Sequence, residues 1–259
     1  MFSNIFKYLS YFILTSTFLL NNISLSNAKS NMVVEADESI EWNQEEGYYI
    51  AKGKAVAKHG DSYISANVIL AYYNPIISSR EIVKIVANGD VKFSDNLHSG
   101  TAFSATYDLV NETYELKGPN ALINGPEGST LAKSKITYDK NKRIINLIEK
   151  GKNNFKNGRK LDAEKIEIIL DKNDKFVQIN AVGNVKVVQK SGSVATSEFA
   201  NYDKNSDIAI LTQSVEIRDG FNFLRGEKAE INFTSGISKI LPNEKGGKVV
   251  GTFSEKKWF

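Results

Sequence analysis

Residues 163–187 read AEKIEIILDKNDKFVQINAVGNVKV, and their spacing decides the fold. Ile166, Ile168 and Leu170 fall at alternate positions. The turn-forming run Asp171-Lys172-Asn173 interrupts them, and Val177, Ile179, Ala181, Val185 and Val187 then resume the apolar alternation. A period of two sends successive side chains to opposite faces of a strand. Asp and Asn favour turns because their side chains bond the local backbone and tolerate left-handed geometry. The stretch therefore predicts two antiparallel strands joined by a short turn, with one face buried and one wet. A slip of one residue would turn the whole apolar row outward, so the register is strongly set.

The same unit recurs along the chain, and this self-similarity says more than any single motif. Small or apolar residues that open each strand are Ala36, Ala66, Gly100, Leu131, Ala163, Ala195 and Gly226, at intervals of 30, 34, 31, 32, 32 and 31 residues. Turns Tyr138-Asp139-Lys140-Asn141 and Tyr202-Asp203-Lys204-Asn205 nearly copy Leu170-Asp171-Lys172-Asn173, and Tyr107-Asp108 begins another. Three, five and seven residues past each start stand Ile69/Ala71/Tyr73, Phe103/Ala105/Tyr107, Ser134/Ile136/Tyr138, Ile166/Ile168/Leu170, Glu198/Ala200/Tyr202 and Ala229/Ile231/Phe233. The first unit departs, with Asn43 beside Trp42 at the seventh place. In the six later units all of these residues except Ser134 and Glu198 form the expected interior face, the candidate binding groove. A closed core and a ligand-holding groove use the same face, so alternation does not separate the two. Glu164, Glu167, Glu198 and Glu230 mostly alternate onto the wet face, and Lys165, Lys186, Lys190 and Lys228 suit solubility and edge protection.

Arg143–Lys150 alternates as a strand, and no helix is expected after the first 28 residues. Gly151–Gly158, rich in Lys, Asn and Gly, predicts an exposed loop. From Leu241 onward the pattern breaks, with a last β run near Val249–Phe253. About seven units predict roughly 14–16 strands, too many for one flat sheet. Two architectures satisfy that count. One is an open repetitive β-jellyroll of two facing antiparallel sheets; the other is a parallel β-helix. The Asp-Lys-Asn turns suit antiparallel hairpins and favour the jellyroll.

Lys7 is the only charge before a thirteen-residue, mostly apolar run, Tyr8–Leu20, which leads to Ser26-Asn27-Ala28. Small residues at 26 and 28 fit a secretory cleavage site. Residues 1–28 are thus expected to be a cleaved signal peptide, 29–253 one domain and 254–259 a tail. An uncleaved segment would instead tether the domain to a membrane.

Composition narrows the function. Apolar residues make up 41% of the 259, enough for a core, and the net charge is only +3 with no basic block, which argues against nucleic acid as partner. The chain has no cysteine, hence neither a disulfide framework nor a thiol nucleophile. Its two histidines, His59 and His98, sit near Gly and Asp without metal-ligand spacing and read as solvated surface residues. No nucleophile elbow or phosphate-binding loop is present. The expectation is a non-enzyme with no cofactor and no metal. A polysaccharide-acting β-helix enzyme would need clustered Asp, Lys and Arg on shorter rungs.

The recurring strand-and-turn unit, with Ile85-Val86-Ala87-Asn88-Gly89-Asp90-Val91, Ile179-Asn180-Ala181-Val182-Gly183-Asn184-Val185, Phe223-Leu224-Arg225-Gly226-Glu227-Lys228-Ala229 and the closing Val249-Val250-Gly251-Thr252-Phe253, resembles the organic-solvent-tolerance-like domain family. The likeness spans nearly all of residues 33–253. This is the domain of periplasmic lipopolysaccharide-transport bridge proteins of Gram-negative bacteria. The resemblance implies a periplasmic location and an open β-jellyroll that carries lipopolysaccharide acyl chains inside. It also implies edge-strand pairing with jellyroll-containing inner- and outer-membrane transport proteins, or head-to-tail with further copies. The first unit, around Val33–Trp42, would then meet an upstream partner, and Val249–Phe253 a downstream one. A membrane-tethered jellyroll of the same pathway fits the resemblance as well.

Overall fold

The computed structural model describes residues 33–76, 80–242 and 246–254. The expected signal peptide and the last five residues lie outside them. The described residues are all-β and contain no helix. Two compact units divide at Gly118/Pro119.

The first unit holds β1 (Val33–Glu35), β2 (Ser39–Asn43), β3 (Tyr48–His59), β4 (Ser62–Tyr73), β5 (Ile82–Ser94), β6 (Ser99–Asp108) and β7 (Thr113–Lys117). The second holds β8 (Ala121–Gly125), β9 (Gly128–Ala132), β10 (Lys135–Asp139), β11 (Ile144–Phe155), β12 (Lys160–Leu170), β13 (Phe176–Val188), β14 (Val194–Asp203), β15 (Ile208–Asp219), β16 (Asn222–Asn232), β17 (Ile237–Leu241) and β18 (Val250–Thr252). Within each unit successive long strands pair antiparallel, as a meander of hairpins. The Asp turns behave as their chemistry dictates. Asp108, Asp139 and Asp203 each accept the backbone N–H three residues on, at 2.8–2.9 Å.

Most long strands bend at one place. In β3, β5, β11, β13 and β15 two successive residues are left-handed: Gly53-Lys54, Gly89-Asp90, Glu149-Lys150, Gly183-Asn184 and Gln213-Ser214. The next strand sets a single residue against each pair: Asn67, Phe103, Glu164, Glu198 and Glu227. Two residues against one is a β-bulge, which bends the strand and increases its twist. Left-handed geometry costs a residue with a Cβ about 1–2 kcal/mol, which is why glycine opens three of the five pairs. At Gly183, φ is +79° and an added Cβ would also press on the Glu164 side chain at 3.1 Å.

The bulge sets which residues face inward. On β13 the buried row runs Ile179, Ala181, then Val185, Val187, skipping the two corner residues in phase. On β12 it runs Leu161, Ala163, then Ile166, Ile168, Leu170, shifting by one residue across Glu164. Leu147, Ile166, Leu211 and Ile231 are fully buried, each stabilising the fold by about 1.5–3 kcal/mol.

Four expectations need correction. Among the described residues the strands number eighteen, above the expected 14–16, because the corner cuts some strands in two. β1 and β2 lie along one edge of β3, β9 and β10 along one edge of β11, and β17 and β18 along one edge of β16. Second, the corners align Ala66, Ala102, Ala163, Ser197 and Gly226, so Gly100 and Ala195 stand two residues early as repeat starts. Phe103 therefore occupies the single-residue corner position and is 62% exposed, where an inward side chain was expected. Third, of the expected loop Gly151–Gly158 only Lys156–Gly158 is a turn. β11 runs on to Phe155 with Gly151 and Asn153 buried, and the Asn153 side-chain Oδ1 accepts the Thr130 hydroxyl at 2.6 Å. Fourth, His98 is 3% exposed. Asp95 caps its turn by accepting the backbone N–H of Leu97 and His98, which folds the imidazole underneath, with Nδ1 3.3 Å from the carboxylate. Burial lowers the His98 pKa, against the pull of Asp95.

Candidate functional site

The second unit contains a cavity of about 810 Å³. Its floor is apolar: Leu161, Ile179, Ala181, Val187, Ala200 and Ala209. These come from β12, β13, β14 and β15, on the inward rows that the bulges define. Ala181, Ala200 and Leu211 are cross-strand neighbours, and the two alanines leave the width that larger residues would fill.

The mouth lies where the bent strands bring their two ends together. One side is the β11–β12 hairpin tip, Lys156-Asn157-Gly158-Arg159. The Phe155 N–H donates to the Arg159 carbonyl at 2.9 Å, and the Arg159 N–H to Asn157 Oδ1 at 3.1 Å. The other side is the β14–β15 turn, Lys204–Asp207, from the opposite ends of the strands. Arg159 donates through Nη1 to Asp207 Oδ1 at 2.9 Å and through Nη2 to Oδ2 at 3.3 Å. A contact between opposite strand ends requires the strands to fold over, so the second unit is a jellyroll with two facing antiparallel arms.

Asp207 is shared. It also accepts the Tyr202 hydroxyl at 2.8 Å and the Thr234 hydroxyl at 3.1 Å. Burial pushes the Asp207 carboxyl up, but the hydrogen bonds from Arg159, Tyr202 and Thr234 outweigh it and hold the group below the usual carboxylate range. Burial, followed by the bond to Asp207, pushes the Tyr202 phenol up to about 12. An aromatic row crosses the mouth: Phe155–Phe176 at 6.3 Å, Phe176–Tyr202 at 6.4 Å and Tyr202–Phe233 at 5.8 Å between centroids. The Arg159 guanidinium lies 4.1 Å over Phe233, and Lys204 Nζ 3.8 Å over Phe176. Lys156 and Lys160 complete a cationic rim that faces only Glu127 and Asp207 among acidic lining residues. A lipid-like molecule with an anionic head matches this arrangement. Among the described residues no group of His, Asp and Glu could hold a metal ion.

Of the residues expected to line a groove, Ala200, Tyr202 and Phe233 border this cavity. Ile136, Tyr138, Ile166, Ile168, Leu170, Ala229 and Ile231 are buried in the same unit and are not among the residues lining this cavity. Ile69, Tyr73, Ala105 and Tyr107 are buried and Ala71 half-buried in the first unit, apart from the cavity. Phe103 points away. The alternation on residues 177–187 marks Ile179, Ala181 and Val187 as inward, so these cavity residues had a signal. Arg159 and Asp207 had none, because 48 residues separate them and only the bend joins them.

A family model described as LptA/(LptD N-terminal domain) LPS transport protein matches residues 33–144 and 153–237. No curated protein matches the chain. Among solved structures, the chain is similar to LptH of Pseudomonas aeruginosa, described as the LptA homologous periplasmic component of the conserved lipopolysaccharide transport device. That likeness has 16% identity and a TM-score of 0.39, over 48% of this chain and 85% of that one.

Proposed function

Since the chain belongs to the LptA/LptD N-terminal domain family of lipopolysaccharide transport proteins, we propose that it is a periplasmic carrier that shields lipopolysaccharide acyl chains inside its jellyroll. On this reading it passes the lipid between inner- and outer-membrane components without catalysing a reaction. The observation that carries the reading is the apolar-floored cavity of about 810 Å³. Each methylene exposed to water costs about 0.8 kcal/mol, so one chain of about twelve costs roughly 10 kcal/mol. A lipid with several chains needs a dry path across an aqueous compartment.

Two edges support the bridging role. Along β3, the broken edge strand β1–β2 leaves Val33, Ile40 and Trp42 exposed. Along β16, β17 and β18 expose Ile237 and Val250. Exposed apolar edge strands invite pairing with another chain.

The test is site-specific photo-crosslinking to purified lipopolysaccharide. A photoreactive residue at Ile179 or Ala200 is expected to crosslink, and one at Phe103 or Glu198 is not. Labelling at the outward pair alone, or at none of the four in folded protein, would refute acyl-chain binding in this cavity.

A further inference from the structure

We propose that the rim formed by Lys156, Arg159, Lys160 and Lys204 is an anion subsite that selects phosphorylated over neutral lipids. This deepens the acyl-binding reading and rests on it. Three of the four cations fall within five residues of one hairpin tip, Lys156-Asn157-Gly158-Arg159-Lys160. Lys204 faces them from the opposite turn and reaches Glu127 only at 3.9 Å. Lys156 and Lys160 hold no ion pair among the described residues. The rim thus carries more positive charge than its own acids neutralise.

Arg159 is the member already shaped for the ligand. Its fork grips the Asp207 carboxylate through two nitrogens. A phosphate monoester presents the same pair of oxygens to a guanidinium, with greater charge. A phosphate at the mouth can therefore take Arg159 over from Asp207, with Lys156 and Lys160 beside it. The aromatic row and the alanine floor lie directly beneath. A ligand that satisfies both layers carries an anionic head and an apolar tail. Free phosphate leaves the floor empty, and a neutral lipid leaves the cations unanswered.

The experiment uses the full chain, as wild type and as K156Q/K160Q. These two lysines border the mouth without ion-pair partners, so the double variant is expected to melt like wild type. Each protein is titrated at fixed salt with lipopolysaccharide and with phosphatase-treated lipopolysaccharide, by displacement of a fluorescent acyl probe. Wild type is expected to prefer the phosphorylated form about tenfold, the size of two partly screened charge contacts. K156Q/K160Q is expected to lose that preference while binding the dephosphorylated form unchanged. Equal wild-type affinity for both forms, or a preference that survives in K156Q/K160Q, overturns the anion subsite and leaves acyl binding standing. Failure of wild type to bind either form overturns both. Saturable binding of inorganic phosphate that K156Q/K160Q abolishes, without any lipid preference, assigns the rim to free anions and overturns the proposal as well.

Discussion

Ala200→Phe should close the cavity without opening the fold. Ala200 sits on β14 between Ala181 and Leu211 of the neighbouring strands, and its methyl borders the cavity of about 810 Å³. A benzyl group there occupies the room of roughly four or five methylenes of a bound chain. At about 0.8 kcal/mol each, the lost burial is about 3–4 kcal/mol, a several-hundredfold weaker dissociation constant. The ring enters existing space, so the melting temperature should hold within a few degrees, unlike overpacking of a filled core. Competition against a fluorescent acyl probe, beside a thermal melt, reads both quantities. Phe103→Ala is the control, expected to bind as wild type because that side chain faces solvent. Unchanged affinity in a folded Ala200→Phe protein would refute the argument that this cavity holds the lipid. An equal loss in Phe103→Ala would show that the acyl probe reports something other than the cavity.

Leu211→Ala, at a fully buried position, should cost about 3 kcal/mol and lower the melting temperature by roughly 6–12 °C. Gly128→Ala should be far worse than Gly158→Ala. A Cβ on Gly128 would overlap the Asn154 carbonyl oxygen, whereas Gly158 has open space and bears only the left-handed cost of about 1–2 kcal/mol; comparable denaturant midpoints for the two would contradict this. His98 gives a pH signature. Burial lowers its folded-state pKa, so protonation favours the unfolded chain. Stability should be full above the unfolded value near 6.5 and decline as pH falls below it. In urea titrations from pH 7.5 to 5, His98→Gln should flatten that decline, and an identical slope in both proteins would remove His98 as its source.

Residues 163–187 exposed the fold because apolar alternation and Asp turns are both local. Their hairpins follow without knowledge of distant partners. The bulges were less legible. Gly53, Gly89 and Gly183 hint at corners, but Glu149-Lys150 and Gln213-Ser214 take the same left-handed pair without glycine. A period of two also hides an offset of two residues, which is why starts at Gly100 and Ala195 still put Tyr107 and Ala200 on the inward face. The offset surfaced at Phe103, where the bulge inverts the phase. Composition misled at Gly151–Gly158, where Gly151, Asn153 and Phe155 keep the inward row while Lys and Asn fill the outward one. His98 was misread for a related reason. A polar turn says where the chain reverses, and says nothing of which side chain it folds beneath. The cavity's mouth was the least legible part, since Arg159, Lys204 and Asp207 meet only after every intervening strand has bent.

The bend therefore produces both halves of the proposed function, and their energies are of different size. The floor is a long-range product of strand alternation, and what it offers a ligand scales with buried methylenes, about 10 kcal/mol for a chain of about twelve. The tightest ion pair across the mouth, Arg159–Asp207, has side chains that remain 21% and 25% exposed, and Lys204 adds a longer one to Glu127 at 3.9 Å. Pairs of that kind contribute on the order of 1 kcal/mol. The burial a lipid gains on the floor thus exceeds the contribution of these pairs many times over. Had Arg159 and Asp207 been a pair of leucines, opening would expose apolar surface and oppose entry. Polar groups at the mouth, by contrast, find water or phosphate as partners once their ion pair is broken, so the mouth adds little apolar cost to entry.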